Sequence, residues 1–168
     1  MNITAGKFKG QKVTAPDETI TRPTLSKVRM AVFNTLQALI DFEGASFLDM
    51  FAGSGIMGLE ALSRGFERVV AIEKNPKVYN ILLNNYKALK VKPNVLKGDS
   101  LKVIPQEHFD VIYIDPPYYS GVYEKSLEVL PDCKIVILEH TTDVDFSGYE
   151  VIKQKKYGDK TLTYLRKA

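Results

Sequence analysis

The 168-residue chain has one cysteine, Cys133, and two histidines. A lone cysteine excludes a disulfide within the chain and a cysteine-built zinc site, and it fits a reducing, cytoplasmic setting. No partner motif accompanies Cys133, so a small packing residue is expected there. Long apolar runs are also missing. Stretches such as Ile135 to Leu138 are too short to cross a bilayer, and Lys7, Lys9 and Lys12 stand where a signal peptide would carry its apolar core. Neither membrane association nor export is expected. No low-complexity tract, linker or repeat divides the chain. What is present is an average globular composition, 45% apolar and 26% charged, at a length that can bury a sizeable core. One domain over 1–168 is expected, with 1–23 as an N-terminal appendage and 24–168 as the core.

The net charge of +3 is mild but uneven. Lys7, Lys9, Lys12, Arg22, Lys27 and Arg29 oppose only Asp17 and Glu18 near the start; Lys153, Lys155, Lys156, Lys160, Arg166 and Lys167 oppose only Asp159 at the end. Basic ends around an acidic centre fit either solvated faces or a polyanion footprint, because Lys and Arg at phosphates release counterions.

Weak alternation of Ile3, Ala5, Phe8 and Val13 around Gly6 and Gly10 reads as a small hairpin. Leu25, Val28, Val32, Leu36 and Leu39 then recur at helical spacing, with Thr24 as N-cap, and Lys27 and Arg29 are expected on the solvated side. Beyond Gly44 strands and helices alternate, the pattern of a parallel sheet covered on both faces. Strands are expected at Ser46 to Met50, Arg68 to Ile72, Asn94 to Lys97, Asp110 to Ile114 and Lys134 to Leu138. Helices are expected at Met57 to Arg64, Pro76 to Lys90, near Leu101 and at Val122 to Leu130. Two β-rich runs, Tyr149 to Tyr157 and Lys160 to Arg166, flank Gly158-Asp159 as a closing hairpin with a type II′ turn. The expected fold is α/β and Rossmann-like: a mostly parallel seven-stranded sheet with helices on both faces and an antiparallel C-terminal hairpin.

The first parallel strand runs into Asp49-Met50-Phe51-Ala52-Gly53-Ser54-Gly55-Ile56-Met57-Gly58. Such glycines let backbone amides approach a ligand at a helix N-terminus. Gly53-x-Gly55-x-x-Gly58 followed by Glu73 also fits a dinucleotide fingerprint, so a nicotinamide-dependent oxidoreductase is a competing reading. Asp49 argues against it. Its charge would oppose a pyrophosphate but could accept from the ammonium of S-adenosylmethionine (SAM). Glu73 can accept from both ribose hydroxyls, and Asp99 from the adenine amino group unless it only caps a helix at Ser100.

The fourth strand ends in Asp115-Pro116-Pro117-Tyr118. An acid at a strand's carboxyl end lies in the ligand crevice, and two prolines hold the loop so that the Pro116 carbonyl can point outward. An exocyclic amine donating to Asp115 and to that carbonyl can pyramidalise and aim its lone pair at a methyl group. Tyr118 offers a stacking face for an extruded base; loop packing is expected for Tyr119 and Tyr123. This tetrad specifies the kind of atom and leaves guanine N2, adenine N6 and cytosine N4 open, on RNA or DNA. His108 is expected to be exposed, and His140 to be a satisfied structural histidine at the crevice edge.

Together these residues resemble the class I SAM-dependent methyltransferases. The chain is similar nearly end to end to the RsmD family, through Ala5-Gly6-Lys7-Phe8-Lys9-Gly10, Arg22-Pro23-Thr24, Val32-Phe33-Asn34, Leu48 to Gly55, Glu60 to Gly65, Glu73-Lys74, Asp115 to Tyr118, Glu139-His140 and Tyr157-Gly158. The resemblance implies methylation of guanine N2 in 16S ribosomal RNA, with SAM as cofactor, S-adenosylhomocysteine (SAH) as product and no metal. It implies cofactor contacts at Asp49, Phe51, Ala52, Gly53, Ser54, Gly55, Glu73, Lys74, Asp99 and Ser100, and catalysis at Asp115 to Tyr118. RNA contacts are implied at Lys7, Lys9, Arg22 and Thr24. A monomer acting on ribosomal RNA, within a small-subunit assembly particle, is the expected setting.

Overall fold

In the computed structural model, which describes residues 1–17 and 25–168, the apolar repeat after Leu25 forms α1 (Ser26–Leu39). The expected cap, Thr24, lies outside the described residues. Leu25 stands at the N-cap without a side-chain hydrogen bond. The buried stripe of Val28, Val32, Phe33 and Leu36 therefore holds this helix, as packing usually does.

Five strands, β1 (Ser46–Asp49), β2 (Arg68–Glu73), β3 (Val95–Lys97), β4 (Phe109–Ile114) and β5 (Cys133–His140), pair in parallel. The helices between them are α2 (Ile56–Ser63), α3 (Pro76–Ala88), α4 (Ser100–Val103) and α5 (Val122–Glu128). β6 (Tyr149–Tyr157) and β7 (Lys160–Lys167) form the closing hairpin, with β7 antiparallel between β5 and β6. The seven-stranded order is β3-β2-β1-β4-β5-β7-β6. At the hairpin Gly158 takes φ 64° while Asp159 stays at negative φ, as a type II′ turn requires. Asn75 caps α3 by accepting from the amides of Lys77 and Val78, with Pro76 at the first helical position, where its missing N–H has no cost.

Because side chains alternate along a strand, the sheet has two apolar faces. Phe47, Val69, Ala71, Val111, Tyr113 and Ile137 pack with α1, α2 and α3. Leu48, Val70, Ile72, Ile112, Ile114 and Leu138 pack with α5 and Ile104. The chain order reverses between β1 and β4, which leaves a crevice at their carboxyl ends, the usual ligand position in such sheets. Among the described residues no helix is long and apolar enough to cross a membrane.

The N-terminal segment is a loop closed by one antiparallel bridge, Asn2 to Lys12, in place of two extended strands. It is anchored to α2. Glu60, buried, accepts from Thr4 N at 3.0 Å, Thr4 Oγ1 at 2.9 Å and Ala5 N at 3.3 Å. Lys7 N donates to Ser63 O at 2.9 Å, and a Cβ on Gly6, at φ +83°, would lie 1.8 Å from that oxygen. Only glycine lets the two backbones meet there. Arg29 corrects the expectation of a solvated helix face: it is 1% exposed, with Nε 3.2 Å from Glu60 Oε1 and an N–H donated to Asn2 O. The Asn2 carbonyl and Glu60 together solvate its charge, so the side chain turns inward.

Candidate active site

β1 ends on Asp49, which is 1% exposed, and its Oδ1 has no hydrogen-bond partner among the described residues. Burial raises its pKa well above the usual carboxylate range, and the charge of Asp115 adds to this. A buried carboxylate oxygen left without a partner in a cleft is costly for folding alone and marks a place for a cationic donor.

The loop after β1 turns through Gly53 at φ 55°, where a Cβ would meet nothing within 4 Å, so this backbone faces open cleft. Gly55 acts differently. It takes φ 86° at the N-cap of α2, and a Cβ there would lie 2.4 Å from Leu82 Cδ1, which makes it a turn and packing glycine outside the cleft lining. Glu73 closes the other wall. Backbone amides hold its carboxylate, Gly53 N on Oε1 and Asn75 N on Oε2, both at 2.9 Å, where pairing with Lys74 or Lys77 was the alternative. Each oxygen keeps a lone pair for a ligand hydroxyl. Asp99 caps α4 by accepting from Leu101 N at 3.0 Å, and it also lines the cleft. Ser100 also lines the cleft, but its hydroxyl donates to Met50 O and ties α4 to the end of β1.

The cleft encloses about 960 Å³, and Phe51, Ala52, Ser54 and Lys74 complete its upper wall. Asp115, Pro116, Pro117 and Tyr118 form the opposite wall at the end of β4. Asp115 is 20% exposed and Tyr118 63% exposed, its ring centroid 5.9 Å from that of Tyr123. An open aromatic face beside a half-buried acid can take a flat, hydrogen-bonding ligand. Tyr123 packs as expected, buried, with its hydroxyl accepting from Thr141 N. Tyr119 does not: it is 43% exposed on the cleft rim, with Lys125 over its ring.

Glu139 and Lys160 also line the cleft, without an assigned role in the sequence. Glu139, at the end of β5, is 2% exposed, and Lys160, at the start of β7, reaches it with Nζ 3.3 Å from Oε1. Lys160 Nζ is also 3.5 Å from Asp115 Oδ1. An acid closing a buried strand was a readable signal for Glu139. Lys160 had none, because only the antiparallel register of β7 against β5 brings it there. His140, 6% exposed, is satisfied by Thr142 O at 2.8 Å and Thr163 Oγ1 at 2.7 Å, so it borders the cleft as a structural histidine. His108 is half exposed but not free: Nδ1 lies 2.6 Å from Asp132 and Nε2 3.2 Å from Asp110, where charged neighbours hold a ring that a polar loop alone would leave to water. Lys7 and Lys9 are exposed and do not line the cleft, whereas Pro16, further along the same segment, does. Arg22 and Thr24 lie outside the described residues.

Six carboxylates, Asp49, Glu73, Asp99, Asp115, Glu139 and Asp159, line the cleft against Lys74 and Lys160. Such a lining favours a ligand that carries positive charge and hydroxyls over an anionic dinucleotide.

A family profile described as conserved hypothetical protein 95 matches residues 1–166. Ribosomal RNA small subunit methyltransferase D of Escherichia coli (strain K12) is 34% identical over 135 residues, covering 79% of this chain and 67% of that one. YlbH of Bacillus subtilis (strain 168), proposed as an rRNA methyltransferase, is 30% identical over 158 residues, covering 86% and 85%. Among solved structures, yhhF of Escherichia coli, a proposed methyltransferase, superposes with a TM-score of 0.86 at 25% identity over 99% of this chain and 97% of that one. The sheet and its helices are thus the Rossmann-like fold of class I methyltransferases, and the chain belongs to the RsmD family of methyltransferases.

Proposed function

We propose that this chain transfers a methyl group from SAM to the exocyclic N2 of one guanine in small-subunit ribosomal RNA, releasing SAH. The observation that supports this most is the meeting, in one cleft, of the buried Asp49 carboxylate, whose Oδ1 has no partner among the described residues, with Asp115-Pro116-Pro117-Tyr118. SAM supplies a methyl group on a sulfonium, a leaving group that departs neutral. Asp49 Oδ1 accepts from the ammonium of its methionine part, Glu73 from the ribose hydroxyls and Asp99 from the adenine amino group. Phe51, Ala52, Gly53, Ser54, Lys74 and Ser100 shape the walls, and Gly55 sets the turn that makes them.

Asp115 and the Pro116 carbonyl each accept one N–H of the target amine, which frees its lone pair for in-line attack. On receiving the methyl group the nitrogen would become cationic, and Asp115, or a water beside it, would take its proton. Tyr118 holds the extruded base by stacking, worth roughly 1–3 kcal/mol. Lys7, Lys9, Arg22 and Thr24 contact the RNA on the N-terminal side. The small-subunit name of the Escherichia coli relative supports ribosomal RNA as substrate, and we propose a cytoplasmic monomer acting on an assembling particle.

Mass spectrometry of nucleosides from small-subunit ribosomal RNA treated with the protein and labelled SAM tests this reading. Label in N2-methylguanosine is expected, and label in N6-methyladenosine or N4-methylcytidine alone would overturn it.

A further inference from the structure

Methyl transfer as described leaves one cleft cation without a task. Lys160 Nζ lies 3.3 Å from Glu139 Oε1 and 3.5 Å from Asp115 Oδ1, and its side chain is 22% exposed toward the cleft it lines. An ammonium has three N–H donors, and these two carboxylates occupy two of them. Burial works against the Lys160 charge, but Asp115 and Glu139 outweigh it and hold the ammonium above its ordinary pKa. Glu139 is a firm anchor: it is 2% exposed, its carboxyl pushed up by burial and pulled back by Lys160, and its Oε2 has no hydrogen-bond partner among the described residues. A fixed cation thus stands beside Asp115 with one N–H left for a ligand.

The bases that carry an exocyclic amine differ in the groups next to it along the edge. In guanine the N2 amine neighbours N1–H and then O6: donor, donor, acceptor. In adenine the N6 amine neighbours the acceptor N1 and then C2–H. In cytosine the N4 amine neighbours the acceptors N3 and O2. With the amine at Asp115, a neighbouring carboxylate oxygen is favourable to N1–H and repelled by the lone pair of adenine N1 or cytosine N3. A lysine N–H beyond it meets an acceptor in guanine and only C2–H in adenine.

Resting on the reaction proposed above, the geometry points to Lys160 as the residue that selects guanine, donating to O6 while Asp115 accepts from N1–H as well as N2–H. Glu139 is its positioning residue, holding the ammonium in place from behind.

The test is a protein-by-base cycle. The segment of small-subunit RNA that the wild type methylates is synthesised with guanosine or 6-thioguanosine at the accepting position; the latter keeps the 2-amino group and N1–H and replaces O6 with sulfur, a poor acceptor. Wild-type kcat/KM should favour guanosine by about 10- to 100-fold, the worth of a hydrogen bond to a charged group. Lys160→Met should bring that ratio toward one by losing rate on guanosine, with SAH affinity at its wild-type value, and Lys160→Arg should restore the preference. An equal loss on both substrates in Lys160→Met would show that Lys160 merely props Asp115 and would overturn the proposal. Failure of the wild type to form N2-methylguanosine at all would instead remove the reaction it rests on.

Discussion

Arg29 Nε lies 3.2 Å from Glu60 Oε1, and both side chains are buried where α1, α2 and the N-terminal segment meet. Glu60 also pairs with Arg64 Nε at 3.2 Å, so one carboxylate answers two guanidinium groups and three donors of Thr4 and Ala5. Glu60→Ala strands the Arg29 charge in the core and should cost about 3–5 kcal/mol. Urea unfolding measures it, and a loss below about 1 kcal/mol, the level of an exposed pair, would show that the cluster does not hold the N-terminus.

Asp49 trades stability for binding. Its folded-state pKa is raised, by burial first and by Asp115 next, so the fold tolerates the protonated form better than the ionised one. The penalty is absent below the ordinary carboxylate pKa, grows as pH rises toward the raised value, and is complete above it. Asp49→Asn should therefore stabilise the ligand-free protein at pH 7 by ~1 kcal/mol and lose that advantage in acid. The same variant should bind SAH at least about tenfold more weakly, since a charge-assisted hydrogen bond is lost. Thermal melts across pH and calorimetry check the two halves separately.

Asp115→Ala should lower the methylation rate by about 10²- to 10⁴-fold while SAH affinity stays near the wild-type value. Single-turnover assays with saturating RNA measure the rate. Activity equal to wild type would remove Asp115 as organiser of the attack. Calorimetry with NADH in parallel decides the competing cofactor reading, for which the acidic cleft predicts no binding.

His108 predicts a pH dependence far from the cleft. Its hydrogen bond to Asp132, and then that to Asp110, raise its pKa above the ordinary 6.5. The stability it adds is fully present below pH 6.5 and is lost as pH rises through the folded-state value. His108→Gln should flatten that part of the stability profile, and an unchanged slope would dissociate His108 from it.

Much of the site was legible because strand ends are legible. Buried runs such as Val111 to Ile114 and Phe47-Leu48 end in Asp115 and Asp49, and a parallel sheet brings all its carboxyl ends to one edge, so chain-local patterns located residues that meet in space. Gly55 and Ser100 show the limit of that logic. Both sit in the right segment, yet Gly55 turns against Leu82 and the Ser100 hydroxyl is taken by Met50. The direction of a side chain within a loop depends on what packs behind it, and no local pattern encodes that.

By itself, then, the sequence determined the order of elements, the parallel core with its closing hairpin, and the acids at the ends of β1, β2 and β4, because period-two and helical apolar patterns and turn residues act over short chain distances. Tertiary structure alone decided the burial of Arg29 on Glu60, the burial of Asp49, and the arrival of Lys160 between Asp115 and Glu139. Each of these depends on a partner dozens of residues away, and on a balance of desolvation against pairing that exists only once the sheet is assembled.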